Sequence, residues 1–203
     1  MKKIYILILS FSFTIADFAQ KTPNPTIGKN EYEISLLYRT ENNFFQGIKI
    51  NLVGAQFVRR WSWMKKTKLG VGALAGIQDD PHFRSGDVII GGLFGDITQF
   101  IGKRQKWNFG GKIGHGIFKR KQNFEDANYK ITSKQTAGMF YSLSLGYRSV
   151  ISKKVLIFIS PVYTVKRNFR QKTIEEIFSP PGIYESKWIV NYSGYGLNLG
   201  IVF

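Results

Sequence analysis

The stretch Tyr195-Gly-Leu-Asn-Leu-Gly-Ile-Val-Phe203 decides the fold. Its odd positions, Tyr195, Leu197, Leu199, Ile201 and Phe203, are large and apolar, whereas Gly194, Gly196, Asn198 and Gly200 hold the even ones. Successive side chains of a strand point to opposite faces, so a strict period of two marks a strand with two unlike surfaces. In a sheet bathed in water this would be a half-buried strand. Here the apolar face is broad and ends on an aromatic ring, and the opposite face is glycine and amide.

The same alternation recurs upstream, and it predicts eight strands at about 31–40, 47–63, 68–78, 88–101, 107–119, 135–148, 154–169 and 186–203. One face of the first carries Tyr32, Ile34, Leu36 and Tyr38, and one face of the sixth carries Met139, Tyr141, Leu143, Leu145 and Tyr147. The connections sort into two kinds. Residues 64–67, 102–106 and 149–153 are short, whereas 79–87, 120–134 and 170–185 are longer and polar. Short turns at one end and long loops at the other, with an even strand count, fit an up-and-down barrel. At the end with the short turns the pattern places Tyr32, Trp61, Trp63, Trp107, Tyr147 and Phe203, an aromatic girdle near one level.

Composition narrows the class. Of 203 residues, 43% are hydrophobic, 21% charged and 15% aromatic, with 21 glycines and no cysteine. The first residues read as an export signal: Lys2 and Lys3 precede the apolar run Ile4 to Ala16, and Ala19 offers a cleavage point. A membrane helix needs about 18 or more apolar residues, and this run is shorter. The expected organisation is a signal peptide at 1–19, an N-terminal extension at 20–30 and a barrel at 31–203. Without residues 1–19 the chain loses Lys2, Lys3 and Asp17, leaving 27 basic against 12 acidic residues, a net +15. For an exported chain that charge points to anionic lipid and lipopolysaccharide phosphates, not to nucleic acid.

A last strand of alternating apolar residues ending in Phe203 resembles the assembly signal of bacterial outer-membrane barrels. The resemblance implies an eight-stranded antiparallel transmembrane barrel of the small OmpA- or OmpX-type class. It further implies that the barrel-assembly machinery reads Tyr195, Leu197, Leu199, Ile201 and Phe203, and that the barrel is a monomer. Gln20 following an Ala cleavage site is similar to exported proteins of the Bacteroidota.

An eight-stranded barrel is just wide enough for side chains to fill it. Facing Ile89, Leu93, Ile97 and Ile101 outward turns Asp96 inward, and facing Trp107, Phe109 and Ile113 outward does the same for Lys112. A hairpin centred on Arg104 sets residue 96 opposite 112, so an Asp96–Lys112 ion pair in the lumen is expected. Glu33, Arg39, Lys49, Arg148 and Lys166 are further inward candidates. In the second strand Ile48, Ile50 and Leu52 share one parity, and Phe57, Trp61 and Trp63 share the other. A β-bulge at Val53 to Ala55 would reconcile them.

Chemistry is thin. Some small barrels modify lipid A with a His, a Ser and a carboxylate. His82 lies in Asp79-Asp80-Pro-His-Phe-Arg-Ser85-Gly-Asp87, which has those residue types, but polar loops share them without catalysis. His115 has the parity of Trp107 and Ile113 and no serine beside it. Cofactor fingerprints and metal-ligand spacings are absent from the sequence. Basic groups at Lys65-Lys66, Lys103-Arg104 and Lys153-Lys154 read as solvated turns, whereas Lys119-Arg120-Lys121 and the stretch from Arg167 to Lys172 lie toward the outside. The expected function is a non-enzymatic outer-membrane barrel with a structural or surface-interaction role. A narrow pore, a lipid A-modifying enzyme and a soluble periplasmic β-protein are the alternatives.

Overall fold

A computed structural model describes residues 30–43, 49–79, 88–102, 105–125, 129–152, 155–176 and 182–203. The expected signal at 1–19, the extension up to residue 29 and the loop with His82, Ser85 and Asp87 lie outside them. The strands are β1 (Asn30–Asn43), β2 (Lys49–Met64), β3 (Thr67–Asp79), β4 (Val88–Ile101), β5 (Trp107–Ile117), β6 (Lys119–Glu125), β7 (Tyr129–Val150), β8 (Leu156–Glu176) and β9 (Ile183–Val202). Asn30, assigned to the extension by sequence, is already part of β1.

All pairings are antiparallel. Sequence neighbours pair around the sheet, β1 joins β9, and β5 joins β7, so the sheet closes on itself. The segments β5 and β6 are halves of one stave. His115 pairs with Met139 and Lys119 with Thr136, so Phe118 is an extra residue that parts the halves. The ring therefore has eight staves. At the β1–β9 seam Tyr32 and Phe203 exchange both backbone bonds, at 2.9 and 3.0 Å.

Side chains alternate as a membrane-spanning barrel demands. Leu36 (69% exposed), Leu93 (60%), Leu143 (53%) and Tyr195 (74%) point out, and their sequence neighbours point in. Closed strand pairing is what lets a sheet cross hydrocarbon, since no backbone N–H or C=O is left unpaired. The fold is an eight-stranded, antiparallel, up-and-down transmembrane β-barrel.

Two expectations from sequence fail. No bulge interrupts β2 at Val53 to Ala55; its ladders to β1 and β3 run unbroken there. Ile50 and Leu52 are instead buried inside the barrel (0% and 2% exposed). Alternation locates the lumen face but does not require it to be polar. The second failure concerns 120–134 and 170–185, expected as loops and found largely as strand in β6, β7, β8 and β9. Once a sheet leaves the membrane both its faces meet water, so the period-two signal fades while the backbone ladder continues.

The result is a barrel with one tall wall. Strands β7, β8 and β9 have 22, 21 and 20 residues, about twice the 9–11 that span a bilayer. The β1–β9 ladder stops at Asn43↔Tyr192, whereas β9 continues along β8 to Ile183. On the other side the β4–β5 ladder ends at Gly91↔Ile117, and among the described residues β6 continues along β7 alone. Among the described residues, strands β6–β9 therefore rise past the ring as a four-stranded sheet whose two edges have no partner strand.

Candidate functional site

The lumen is layered. Toward the short turns lies a charged layer. Arg60 on β2 sits between Glu33 on β1 (Nη1 to Oε2 2.5 Å) and Asp96 on β4, which it meets through Nε and through Nη2 (3.3 Å). Glu31 on β1 takes Lys68 Nζ from β3 at 2.7 Å and Arg148 Nη1 from β7 at 3.1 Å. Asp96 also accepts from Thr98 Oγ1 at 3.1 Å. These groups link β1, β2, β3, β4 and β7 across the interior, and all are nearly out of reach of water. A cavity of about 20 Å³, roughly one water, is the space left among Glu33, Arg60, Asp96, Lys112 and Arg148.

Above the charged layer is an apolar one: Leu37, Leu52, Val58, Leu74, Ile90, Phe94 and Phe140. Phe94 and Phe140 meet edge to face at 6.2 Å. Their rings fit because Gly72 and Gly114 stand where they lie; a Cβ on Gly114 would be 2.5 Å from Phe140 Cζ, and one on Gly72 would overlap Phe94. A second polar layer follows. Lys166 Nζ donates to Glu41 Oε2 (2.5 Å) and Gln78 Oε1 (2.9 Å), and lies 5.4 Å from the Tyr192 ring centre. Arg170 reaches the Tyr192 hydroxyl at 2.8 Å.

The expected Asp96–Lys112 pair is not formed. Both residues occupy the expected register, Asp96↔Lys112, but Asp96 is taken by Arg60. Lys112 turns to Gln56 Oε1 at 2.9 Å and lies 5.0 Å from the Phe94 ring centre. Guanidinium offers a planar fork that fits a carboxylate better than a point-like ammonium does, so Arg60 holds the carboxylate. Glu33, Arg39, Arg148 and Lys166 are inward and buried, but Lys49 is exposed, because it shares the outward parity of Val53. Arg60, Glu31 and Lys68 join this layer beyond the inward candidates expected from sequence, and alternation against Phe57 and Trp61 is the signal that turns Arg60 inward.

The lumen's charges are unevenly sourced. Three of its buried carboxylates, Glu31, Glu33 and Glu41, come from β1 against one buried cation, Arg39, whereas Arg60, Lys68, Arg148 and Lys166 come from four other strands. Outside, Trp107 meets Tyr147 edge to face (4.8 Å) and Tyr32 lies between Phe57 (6.2 Å) and Phe203 (6.1 Å). Register places Asn30 opposite Trp61 and Ile101 opposite Trp107, at the end where the short turns are, and Trp63 is 57% exposed beside them. Tyr195, Leu199, Ile201 and Phe203 are exposed on the outer wall and Leu197 is half-buried there.

His115 is exposed on the outer wall, opposite Leu93 on β4 and Met139 on β7. Lys65 and Lys66 are exposed in a tight turn. Lys103, Arg104, Lys153, Lys154 and the side chains of Lys119, Arg120 and Lys121 lie outside the described residues.

No family model matches the chain. No curated protein matches it. Solved outer-membrane proteins are similar in outline. The outer-membrane protein AlkL, determined in lipid bilayers, is 11% identical with a TM-score of 0.47, over 90% of this chain and 94% of its own. The outer-membrane protease OmpT of Escherichia coli is 8% identical with a TM-score of 0.39, over 90% of this chain and 99% of its own. Ail of Yersinia pestis is 12% identical with a TM-score of 0.34, over 83% of this chain and 99% of its own. At such identities and scores, nothing about activity passes from them to this chain.

Proposed function

We propose that the protein is a non-enzymatic outer-membrane barrel whose tall wall is a contact surface outside the cell. The observation that carries this reading is the sheet β6–β9, which continues beyond the ring with edges on β6 and β9 that pair with no strand among the described residues. Strand this far past the membrane adds nothing to spanning it. The layered lumen supports a scaffolding barrel more than a conduit, since charged side chains and the Phe94–Phe140 pair occupy its interior. His115 faces outward between apolar neighbours and has no nucleophile facing it across either ladder, which supports a role without catalysis. Export by the 1–19 signal, recognition of Tyr195 to Phe203 by the assembly machinery, and contact with outer-leaflet lipopolysaccharide complete the reading.

Two measurements on the folded protein test it. In planar bilayers the barrel is expected to give no discrete openings; steady single-channel steps would favour a narrow pore. Mass spectra of lipid A from cells with and without the protein are expected to be the same. A lost or gained acyl chain would establish an enzyme.

A further inference from the structure

We infer that the outer face of the tall wall holds one phosphorylated glycolipid of the lipid A type, seated on Lys134, Arg167 and Lys187. The inference rests on the outer-membrane placement proposed above and assigns a site within it.

The outer face of β8 reads upward as Ile157, Ile159, Pro161, Tyr163 and Val165, with no charge over nine residues, which is about one bilayer span. Arg167 is then the first charged position, and it is exposed. The next rows are set by register. Phe169 pairs with Thr136 on β7 and Ile189 on β9; Gln171 pairs with Lys134 on β7 and Lys187 on β9. Neighbouring strands are ~4.8 Å apart, so Lys134 and Lys187 flank Gln171 at a separation of ~10 Å.

The seat is a groove with an apolar floor, Phe169 (47% exposed) and Ile189 (51%), and with Lys134, Arg170 and Lys187 in its walls; Arg167 is the next outward position below Phe169 on β8. Among the described residues, only Lys187 of the trio Lys134, Arg167 and Lys187 has a carboxylate within ion-pair range, Glu185 at 3.8 Å, and both of those side chains are largely in water. Such a contact binds weakly and leaves the ammonium open to a stronger anion. Two features select a lipid over a free phosphate. Arg167 stands between this floor and the apolar Val165 and Tyr163 below it on β8, so one molecule can set its phosphates beside the cations and lay its acyl chains down the wall. The cations stand at the level where headgroup phosphates lie, and an arginine and two lysines suit more than one phosphate. Thr136 and Gln171 add hydrogen-bonding groups for sugar hydroxyls beside those phosphates.

The test uses the full-length folded protein in detergent micelles, with purified lipid A as the probe, read by native mass spectrometry. One lipid A per barrel is expected to be retained. The variant Lys134→Gln/Arg167→Gln/Lys187→Gln is expected to lose at least about tenfold in affinity while keeping its heat-dependent gel shift. A control with equal charge loss elsewhere, Lys49→Gln/Lys65→Gln/Lys66→Gln, should bind as the unmodified protein does. Equal retention by the first variant, equal loss by the control, or displacement by inorganic phosphate or phosphatidylglycerol at the lipid A concentration would each overturn the assignment. Failure to fold as a barrel would instead strike the outer-membrane reading itself.

Discussion

Arg60 is the most informative residue to remove. Its side chain is 4% exposed and bonds two carboxylates, Glu33 and Asp96, whose side chains are 4% and 1% exposed. Replacing it by Met keeps much of its volume and leaves both carboxylates without their main partner. Breaking a buried ion pair from one side costs about 3–5 kcal/mol, because the surviving charge stays buried and uncompensated. Lys112 is opposite Asp96 in the ladder and can swing toward it from Gln56, which offsets part of the loss. We therefore expect Arg60→Met to cost about 3 kcal/mol, at the lower end of that range. With a urea slope of about 1–3 kcal/mol/M, the unfolding midpoint falls by roughly 1–3 M. The triple change Arg60→Met/Glu33→Gln/Asp96→Asn removes the charges together and should return to within about 1 kcal/mol of the starting protein. Both variants are to be unfolded in the same lipid vesicles, followed by tryptophan fluorescence and by gel migration without heating. A cost below about 1 kcal/mol for the single change, or a triple variant no better than the single, would refute the claim that these charges depend on one another.

Further outcomes follow from other layers of the wall. Gly114→Val drives a side chain into Phe140 and should cost about 1–3 kcal/mol, partly recovered by adding Phe140→Leu, as read by the same urea titration. Phe94→Ala with Phe140→Ala empties the middle of the apolar layer, so single-channel recordings should change from silent to noisy or stepped if those rings are the plug. Leu143→Lys puts an ammonium in the hydrocarbon belt and should cost about 2–4 kcal/mol in vesicles, whereas Thr173→Lys, above the belt on the tall wall, should cost nearly nothing. Equal costs at those two positions would move the membrane boundary drawn here.

The ring was legible in the sequence and the tall wall was not, and one cause explains both. From β1 to the lower halves of β7, β8 and β9, lipid outside and a crowded lumen inside force unlike residues onto alternate positions; Tyr195 to Phe203 shows this most plainly. Above Val165 that constraint lapses, and what remained to be read was a scatter of β-branched residues such as Ile131, Thr132, Thr173, Ile174 and Ile189. Within the lumen, alternation gave the inward face and even the Asp96↔Lys112 register, but it could not choose partners. That choice depends on which side chains meet across the barrel, and Arg60, two strands from Asp96 in the sheet, outcompetes the lysine directly opposite. Ile50 and Leu52 misled for a related reason: an apolar layer inside a membrane barrel looks, in one dimension, like a strand that has turned over.

The crowding of carboxylates on β1 bears on the order in which the barrel is assembled. Take β1 away from its neighbours and the remainder is an open trough with two free rims, β2 and β9, whose buried interior holds Arg60, Lys68, Arg148 and Lys166 against one carboxylate, Asp96. Such a trough is electrically unsatisfied, and Glu31, Glu33 and Glu41, spaced along one face of β1, answer it at more than one height. A strand slipped by one residue would turn all three toward lipid. Ring closure is thus a lock with charged wards: hydrogen bonding along both rims accepts any extended segment, and the interior turns away a slip of one residue.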